Sequence, residues 1–191
     1  MKTKKITIAG VGEILLERSK RAKYLNLSVK PYKGARVAVP TSITFESAAA
    51  FAQSKAGWIK KRLQSMARME QQATVLRKFV PFDPKTARRQ LIDRLHLLAK
   101  RHGFEFRRVF IRNQKTRWGS CSHQNNINLN INLVMLPSDL TDYIILHELV
   151  HTRVKNHGPE FWRELAKHIE NPKVLDRKLD RYCALIAEVP W

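Results

Sequence analysis

HELVHTRVKNHGPEFW, residues 147–162, decides how the rest of this chain is read. It places three of the seven histidines within eleven residues, and a glutamate directly follows the first. His147, Glu148 and His151 spell H-E-x-x-H. On a helix, residues four apart share a face, so two imidazoles can reach one ion at a bond length of about 2.0–2.1 Å. Glu148 lies about 100° round the helix from His147 and can project beside that ion without ligating it. The surrounding DYIILHELVHTRV is almost wholly apolar, so the helix is expected to be buried. Two imidazoles and a carboxylate inside a buried helix are costly unless something satisfies them. A divalent ion does so for all three. The structural alternative is a pair of hydrogen-bonded core histidines beside an ion-paired glutamate.

An open catalytic site needs a third protein ligand and leaves the fourth position to water. His157 is six residues past His151. A continuous helix would carry it away from the ion, so the helix is expected to break, with Asn156 as a left-handed end residue before Gly158 and Pro159. The first-to-third spacing matches the metzincin pattern H-E-x-x-H-x-x-G-x-x-H, although Val154 stands where that pattern has glycine. Glu164 and His168 are the competing ligands. The expected cofactor is one Zn2+ held by three histidines plus water. Glu148 would be the general base for a metal-activated water attacking a peptide or amide carbonyl. His123, Arg117, Arg153 and Tyr143 are all available to stabilise the oxyanion.

The rest of the chain frames this site. ITIAG (6–10), EILLERS (13–19), YLNLSVK (24–30) and ARVAVP (35–40) read as short strands in an antiparallel meander or hairpin pair, punctuated by Gly10, Gly12, Pro31 and Gly34. Thr41–Ser42 opens a helical stretch to about Gln72. Residues 1–72 therefore form a small basic module of strands and helix. Residues 73–83, with Pro81, read as a linker. Residues 84–191 form the remaining domain. A helix spans 85–102 with a stripe of Ala87, Leu91, Leu95, Leu98 and Ala99, and Gly103 sits at its C-cap. FEFRRVFIRN (104–113) and INLNINLVML (127–136) read as strands of a short antiparallel sheet. KTRWGSCSHQNN (115–126) is a polar loop between them. The motif helix covers about 138–155, capped by Ser138, with Asp139 and Asp142 near its positive end. Two more helices start at Pro159 and Pro172. The fold class is α+β.

Charge divides the chain differently. The total is 36 Lys and Arg against 16 Asp and Glu, or +20. Residues 1–72 hold 15 basic and 4 acidic side chains, residues 73–136 hold 13 and 3, and residues 137–191 hold 8 and 9. The positive field over residues 1–136 favours DNA, RNA or nucleoprotein as a partner, while solvated basic faces are the plainer reading. No apolar run is long enough to span a membrane, so no membrane partner is expected. The basic start lacks an apolar h-region, so no signal peptide is expected. The two cysteines, Cys121 and Cys183, fit a reducing cytoplasm rather than a disulfide framework.

KTRWGSCS (115–122), INLNINLVMLP (127–137) and HELVHTRVKNHGPEFW together resemble the YgjP-like family of predicted metal-dependent hydrolases. These are zincin-type metallopeptidase-like proteins related in their motif to SprT-like proteases. ARVAVP and the KAGWIKKRL helix extend the likeness over nearly the whole chain. The resemblance implies zinc on His147, His151 and His157, Glu148 as catalytic base, and a zincin-like fold for residues 84–191. The role of KTRWGSCS stays open. Arg117 and Trp118 could frame a peptide paired to the neighbouring strand. Alternatively Trp118 is a core anchor, Gly119 a turn residue and Cys121 a small buried one. The leading expectation is a zinc metallopeptidase acting on a peptide or protein. The alternatives are a nucleic-acid-binding protein with a structural metal, or a zinc nuclease or non-peptide amidase.

Overall fold

The computed structural model describes residues 2–79 and 83–187. Its contacts divide the chain between Gln72 and Ala73 into two compact units, and the division falls inside a helix. Among the described residues, no helix is long and apolar enough to cross a membrane.

The first unit holds a four-stranded sheet and helices. Its strands are β1 (Thr3–Ile8), β2 (Gly12–Ser19), β3 (Asn26–Lys30) and β4 (Gly34–Pro40), in the order β1-β2-β4-β3. β1 and β2 are antiparallel, as are β3 and β4, but β2 and β4 run parallel. The strands thus form the hairpin pair of the two arrangements expected, not the meander, and the parallel seam between the hairpins makes the sheet mixed. The sequence explains the order. In GARVAVP the last four residues are all buried, which suits a central strand flanked on both sides. NLSVK has no fully buried residue and takes the edge. Ile8, Ile14, Leu16, Ala35, Val37 and Val39 form the core with Ala48, Ala52 and Ile59 from the helical side.

The helical stretch is two helices, α1 (Phe45–Ser54) and α2 (Ala56–Phe79). Thr44, rather than Thr41 or Ser42, is the cap, and its side chain accepts from Ser47 N at 3.1 Å. The break falls at Lys55, where the Ser54 hydroxyl donates to Phe51 O at 2.8 Å and competes with the helical ladder. The linker expected over 73–83 is helical as far as Phe79, and Ala73 is buried. Residues 80–82, including Pro81, lie outside the described residues.

The second unit contains the opening motif. α3 (Pro84–His102) is capped by Asp83, which accepts from Thr86 N at 2.8 Å, and ends at Gly103 with φ 69°. Its expected stripe is buried. Three strands follow: β5 (Arg108–Arg112), β6 (Gly119–Cys121) and β7 (Asn126–Asn130), in the order β5-β7-β6. β6 and β7 make a hairpin, so the stretch read as a polar loop contains a strand. β5 and β7 are parallel, so this sheet too is mixed rather than antiparallel. The hairpin turns the chain once between them, which brings β7 back in the direction of β5. β7 stops at Asn130 because the Asn130 side chain accepts from Asn132 N at 3.1 Å and caps a 3-10 turn over Ile131–Met135.

α4 (Ser138–Val150) carries the motif. Its N-cap is Pro137 with no side-chain cap, so Ser138 does not play the part expected of it. Leu140, Tyr143, Ile144, Ile145, Leu146, Leu149 and Val150 are all buried, so the helix is enclosed almost all round. Asp142 is tied to α3 by a two-pronged pair with Arg94, one prong Arg94 Nε to Asp142 Oδ1 at 2.7 Å. α5 (Pro159–Ala166) and α6 (Pro172–Leu179) close the unit, followed by a 3-10 turn over Asp180–Leu185.

Candidate metal centre

His147 and Glu148 sit in the last turn of α4, and His151 is its C-cap residue. The helix ends there, earlier than the expected 155. Thr152 N donates to Leu149 O and Arg153 N to Val150 O, both at 2.9 Å, and these tighter bonds close the last turn. Asn156 is not in the left-handed region, where the non-glycine residues among those described are Tyr32, Asn125 and Asn171. The end is set instead by His151 itself. Its Nδ1 lies 2.9 Å from Val154 O. A carbonyl only accepts, so Nδ1 carries the proton and Nε2 presents a lone pair.

That lone pair meets two others. His157 Nε2 lies 3.2 Å from His151 Nε2 and 2.9 Å from His147 Nε2. Two atoms bound tetrahedrally at about 2.0–2.1 Å from one ion are roughly 3.3 Å apart. The observed spacings fit a shared cation, and the three ligand atoms form the one such cluster found among the described residues. Glu164 and His168 are engaged elsewhere. Glu164 pairs with Lys167 at 2.7 Å and Arg153 at 3.1 Å, which help hold its carboxyl down at about 2, Lys167 the more strongly. His168 Nδ1 lies 3.2 Å from His102 Nδ1.

The charge state suits a cation as well. Burial pushes His147 down to about 3, and His151 and His157 push the same way. Burial also lowers His151. Both rings are therefore neutral near pH 7, the form that ligates. Beneath them lies Phe161, fully buried, with ring centroids 4.8, 4.6 and 4.6 Å from those of His147, His151 and His157. One aromatic floor thus supports all three imidazoles. On sequence, Phe161 reads only as a core residue of α5.

Glu148 is 5% exposed, and its Oε2 has no hydrogen-bond partner. Burial pushes its carboxyl up to about 8, while the Arg117 guanidinium pulls it back. Arg117 is itself exposed and Trp118 half-buried. Both backbone carbonyls are held by Asn130: its side-chain Nδ2 donates to Arg117 O at 2.9 Å, and its backbone N to Trp118 O at 2.8 Å. Asn130 is fully buried and gave no signal among the alternating asparagines of its strand.

The other oxyanion candidates are less free. The Tyr143 hydroxyl donates to Asp176 Oδ1 at 2.9 Å. Arg153 pairs with Glu164, donates to Gly103 O and lies over the Phe104 ring at 4.2 Å. His123 is exposed in the β6–β7 turn. Cys121 is half-buried, with its thiol pushed up by burial, which is the opposite of an activated nucleophile. Lys155 Nζ lies 3.8 Å from it and donates to Ser122 O and Asn125 Oδ1 at 3.0 and 2.6 Å.

A buried helix presenting H-E-x-x-H, with a third imidazole folded back onto the same point, defines a metal-dependent hydrolase of the metallopeptidase class. The chain belongs to the YgjP-like family, whose metallopeptidase domain matches residues 69–182. Among solved structures, the chain is similar to the metallopeptidase zymogen jannalysin of Methanocaldococcus jannaschii at 26% identity. That match covers 48% of this chain and 94% of that one, with a TM-score of 0.43. The zymogen abylysin of Pyrococcus abyssi matches at 28% identity over 48% and 93%, with a TM-score of 0.42. No curated protein matches the chain.

Proposed function

We propose that this protein is a zinc-dependent peptidase. His147, His151 and His157 hold the ion, and Glu148 acts as general base. The observation that carries the reading is the convergence of three Nε2 atoms beside a buried carboxylate with an unpartnered oxygen. Zinc would supply Lewis acidity, polarising the scissile carbonyl and making a water acidic near neutral pH. Glu148 takes the proton from the attacking water and passes it to the leaving nitrogen. Burial raises the proton affinity of the carboxylate, and a bound cation would favour the ionised form that accepts the proton.

A peptide is favoured over other amides by β6. It is an edge strand, paired to β7 on one side in the sheet. An extended substrate can add to such an edge by main-chain hydrogen bonds. Arg117 stands just before β6, and its charge reaches Glu148. We assign it to the oxyanion or to a substrate carbonyl. Trp118 is half-buried, which supports the anchor reading over direct substrate contact. For a nucleic-acid partner, the support is the basic composition of residues 1–136 alone.

The test uses the zinc-loaded protein and a mixture of unstructured peptides, with cleavage read by mass spectrometry. Arg117→Ala should lower kcat/KM by about 10- to 1,000-fold. Tyr143→Phe should leave cleavage unchanged and cost about 0.5–1.5 kcal/mol of stability through the lost bond to Asp176. Equal cleavage by Arg117→Ala and wild type would remove Arg117 from the mechanism. Absence of any metal-dependent cleavage would count against a peptide substrate.

A further inference from the structure

Gly119 is unlike the other six glycines of the chain. A Cβ built on Gly10, Gly12, Gly34, Gly57 or Gly158 meets nothing within 4 Å, and on Gly103 only one atom at 4.0 Å. On Gly119 it would lie 2.6 Å from Glu148 Oε1, 2.7 Å from Cγ and 2.9 Å from Cδ. Such separations are well inside van der Waals contact. Gly119 is a strand residue paired with Leu129, and its φ is not positive. Glycine is therefore required here by close approach, not by backbone conformation. This corrects the expectation that Gly119 serves as a turn.

The neighbour that would have to yield is poorly placed to do so. The overlap involves Cγ and Cδ as well as the terminal oxygen, so rotating the carboxylate alone does not relieve it. Glu148 is 5% exposed and rises from an enclosed helix, so the side chain cannot swing into solvent. On the other side, β6 is fixed to β7 by its pairing and by the bond from Asn130 N to Trp118 O. The strand backbone and the carboxylate thus rest directly on each other.

We propose that Gly119 is a positioning residue for Glu148: its bare backbone is the wall that confines the carboxylate in one rotamer beside the three histidines. The proposal deepens the reading of Glu148 as general base and rests on it. It also accounts for the glycine in R-W-G-S, which the metal ligands do not explain. Arg117, two residues earlier, lies within electrostatic reach of the same carboxylate. Residues 117–119, leading into β6, thereby supply both the wall and the nearby cation.

Two measurements test this, and neither needs the natural substrate. The first is a thermal-unfolding cycle on the full chain. Gly119→Ala should lower Tm by about 5 °C or more in the wild-type background but by less than about 2 °C in Glu148→Ala, where the overlap is gone. If Gly119→Ala alone fails to fold, the double variant should still fold. An equal loss in both backgrounds overturns the proposal. The second uses acetohydroxamic acid, a zinc chelator that gives up its hydroxyl proton to a neighbouring base. On zinc-loaded protein, Gly119→Ala and Glu148→Gln should each weaken binding by about tenfold or more, and the two together no further. Zinc content should stay at the wild-type level in all three. Unchanged binding in Gly119→Ala with weakened binding in Glu148→Gln overturns the positioning role and leaves the base in place. Unchanged binding in Glu148→Gln itself removes the base, and with it the role proposed for Gly119. Loss of zinc on Gly119→Ala would show a packing role only.

Discussion

Glu148→Gln is expected to reduce hydrolysis by about 100- to 10,000-fold while metal content stays at the wild-type level. The amide keeps the shape of the carboxylate but cannot take a proton from water. The ligands are untouched, because three imidazole nitrogens converge without help from Glu148. Stability should not fall. The wild-type carboxylate is buried with an oxygen that lacks a partner, so a neutral amide removes a burial cost.

The same carboxyl fixes the sign of a pH effect in metal-free protein. Its folded value is raised from the ordinary 4.5 to about 8. The folded state thus binds this proton more tightly than the unfolded state. The contribution of Glu148 is fully present below pH 4.5 and is lost as pH rises through 8. Glu148→Gln should remove that slope, which parallel denaturant titrations across this range would show. A variant that loses its metal along with its activity would contradict the assignment of Glu148 as a base outside the ligand set.

Asn130→Ala is expected to cost about 2–4 kcal/mol of stability, far more than a typical surface asparagine. Asn130 is fully buried and uses both ends of its amide. Nδ2 donates to Gln114 O at 2.7 Å and Arg117 O at 2.9 Å, and Oδ1 accepts from Asn132 N at 3.1 Å. Alanine strands all three backbone groups and frees the segment that leads into Gly119. Activity should therefore fall beyond what stability alone explains. Asn128→Ala is the control. Asn128 also uses both ends of its amide, Nδ2 donating to the Ser120 hydroxyl and Oδ1 accepting from Arg112 Nε, both at 3.2 Å, but its partners are side chains that water can satisfy instead, so its loss should cost at most about 1 kcal/mol. Equal costs at 128 and 130, measured by denaturant unfolding, would refute the role given to Asn130.

Much of the site could be read from local spacing. The i, i+4 geometry of His147 and His151 follows from the helix alone, and the apolar flanks announced that the helix is buried. His157 required a break, and the need for one was legible from Gly158 and Pro159. How the chain breaks was not. The sequence pointed to a left-handed Asn156, whereas the helix ends at His151 through short turns and a bond from its own ring to Val154 O. A side chain that is both proposed ligand and cap has no local signature.

Residues that act through distant contacts were the least legible. Gly119 stands 29 positions before Glu148, and only the packing of β6 against α4 reveals why it carries no side chain. Phe161 lies on a stripe that any core helix would show, yet it underlies all three histidine rings. Strand direction was similarly hidden. Alternation identifies a strand but not its neighbours, so the parallel seam between the two hairpins of the first sheet was not legible, and the second sheet read as antiparallel. In the first unit the difference between a continuous buried run in β4 and a half-exposed β3 held the clue to the order.

If three histidines hold one catalytic metal, the metal content of the protein must depend on each of them. Wild type and His157→Ala should be purified side by side in zinc-replete buffer, dialysed and assayed by elemental analysis. About one zinc per wild-type chain is expected, with much less in the variant and a folded variant by circular dichroism. A wild-type protein that retains no metal, or a His157→Ala protein that retains as much as wild type, would contradict the three-histidine metal site.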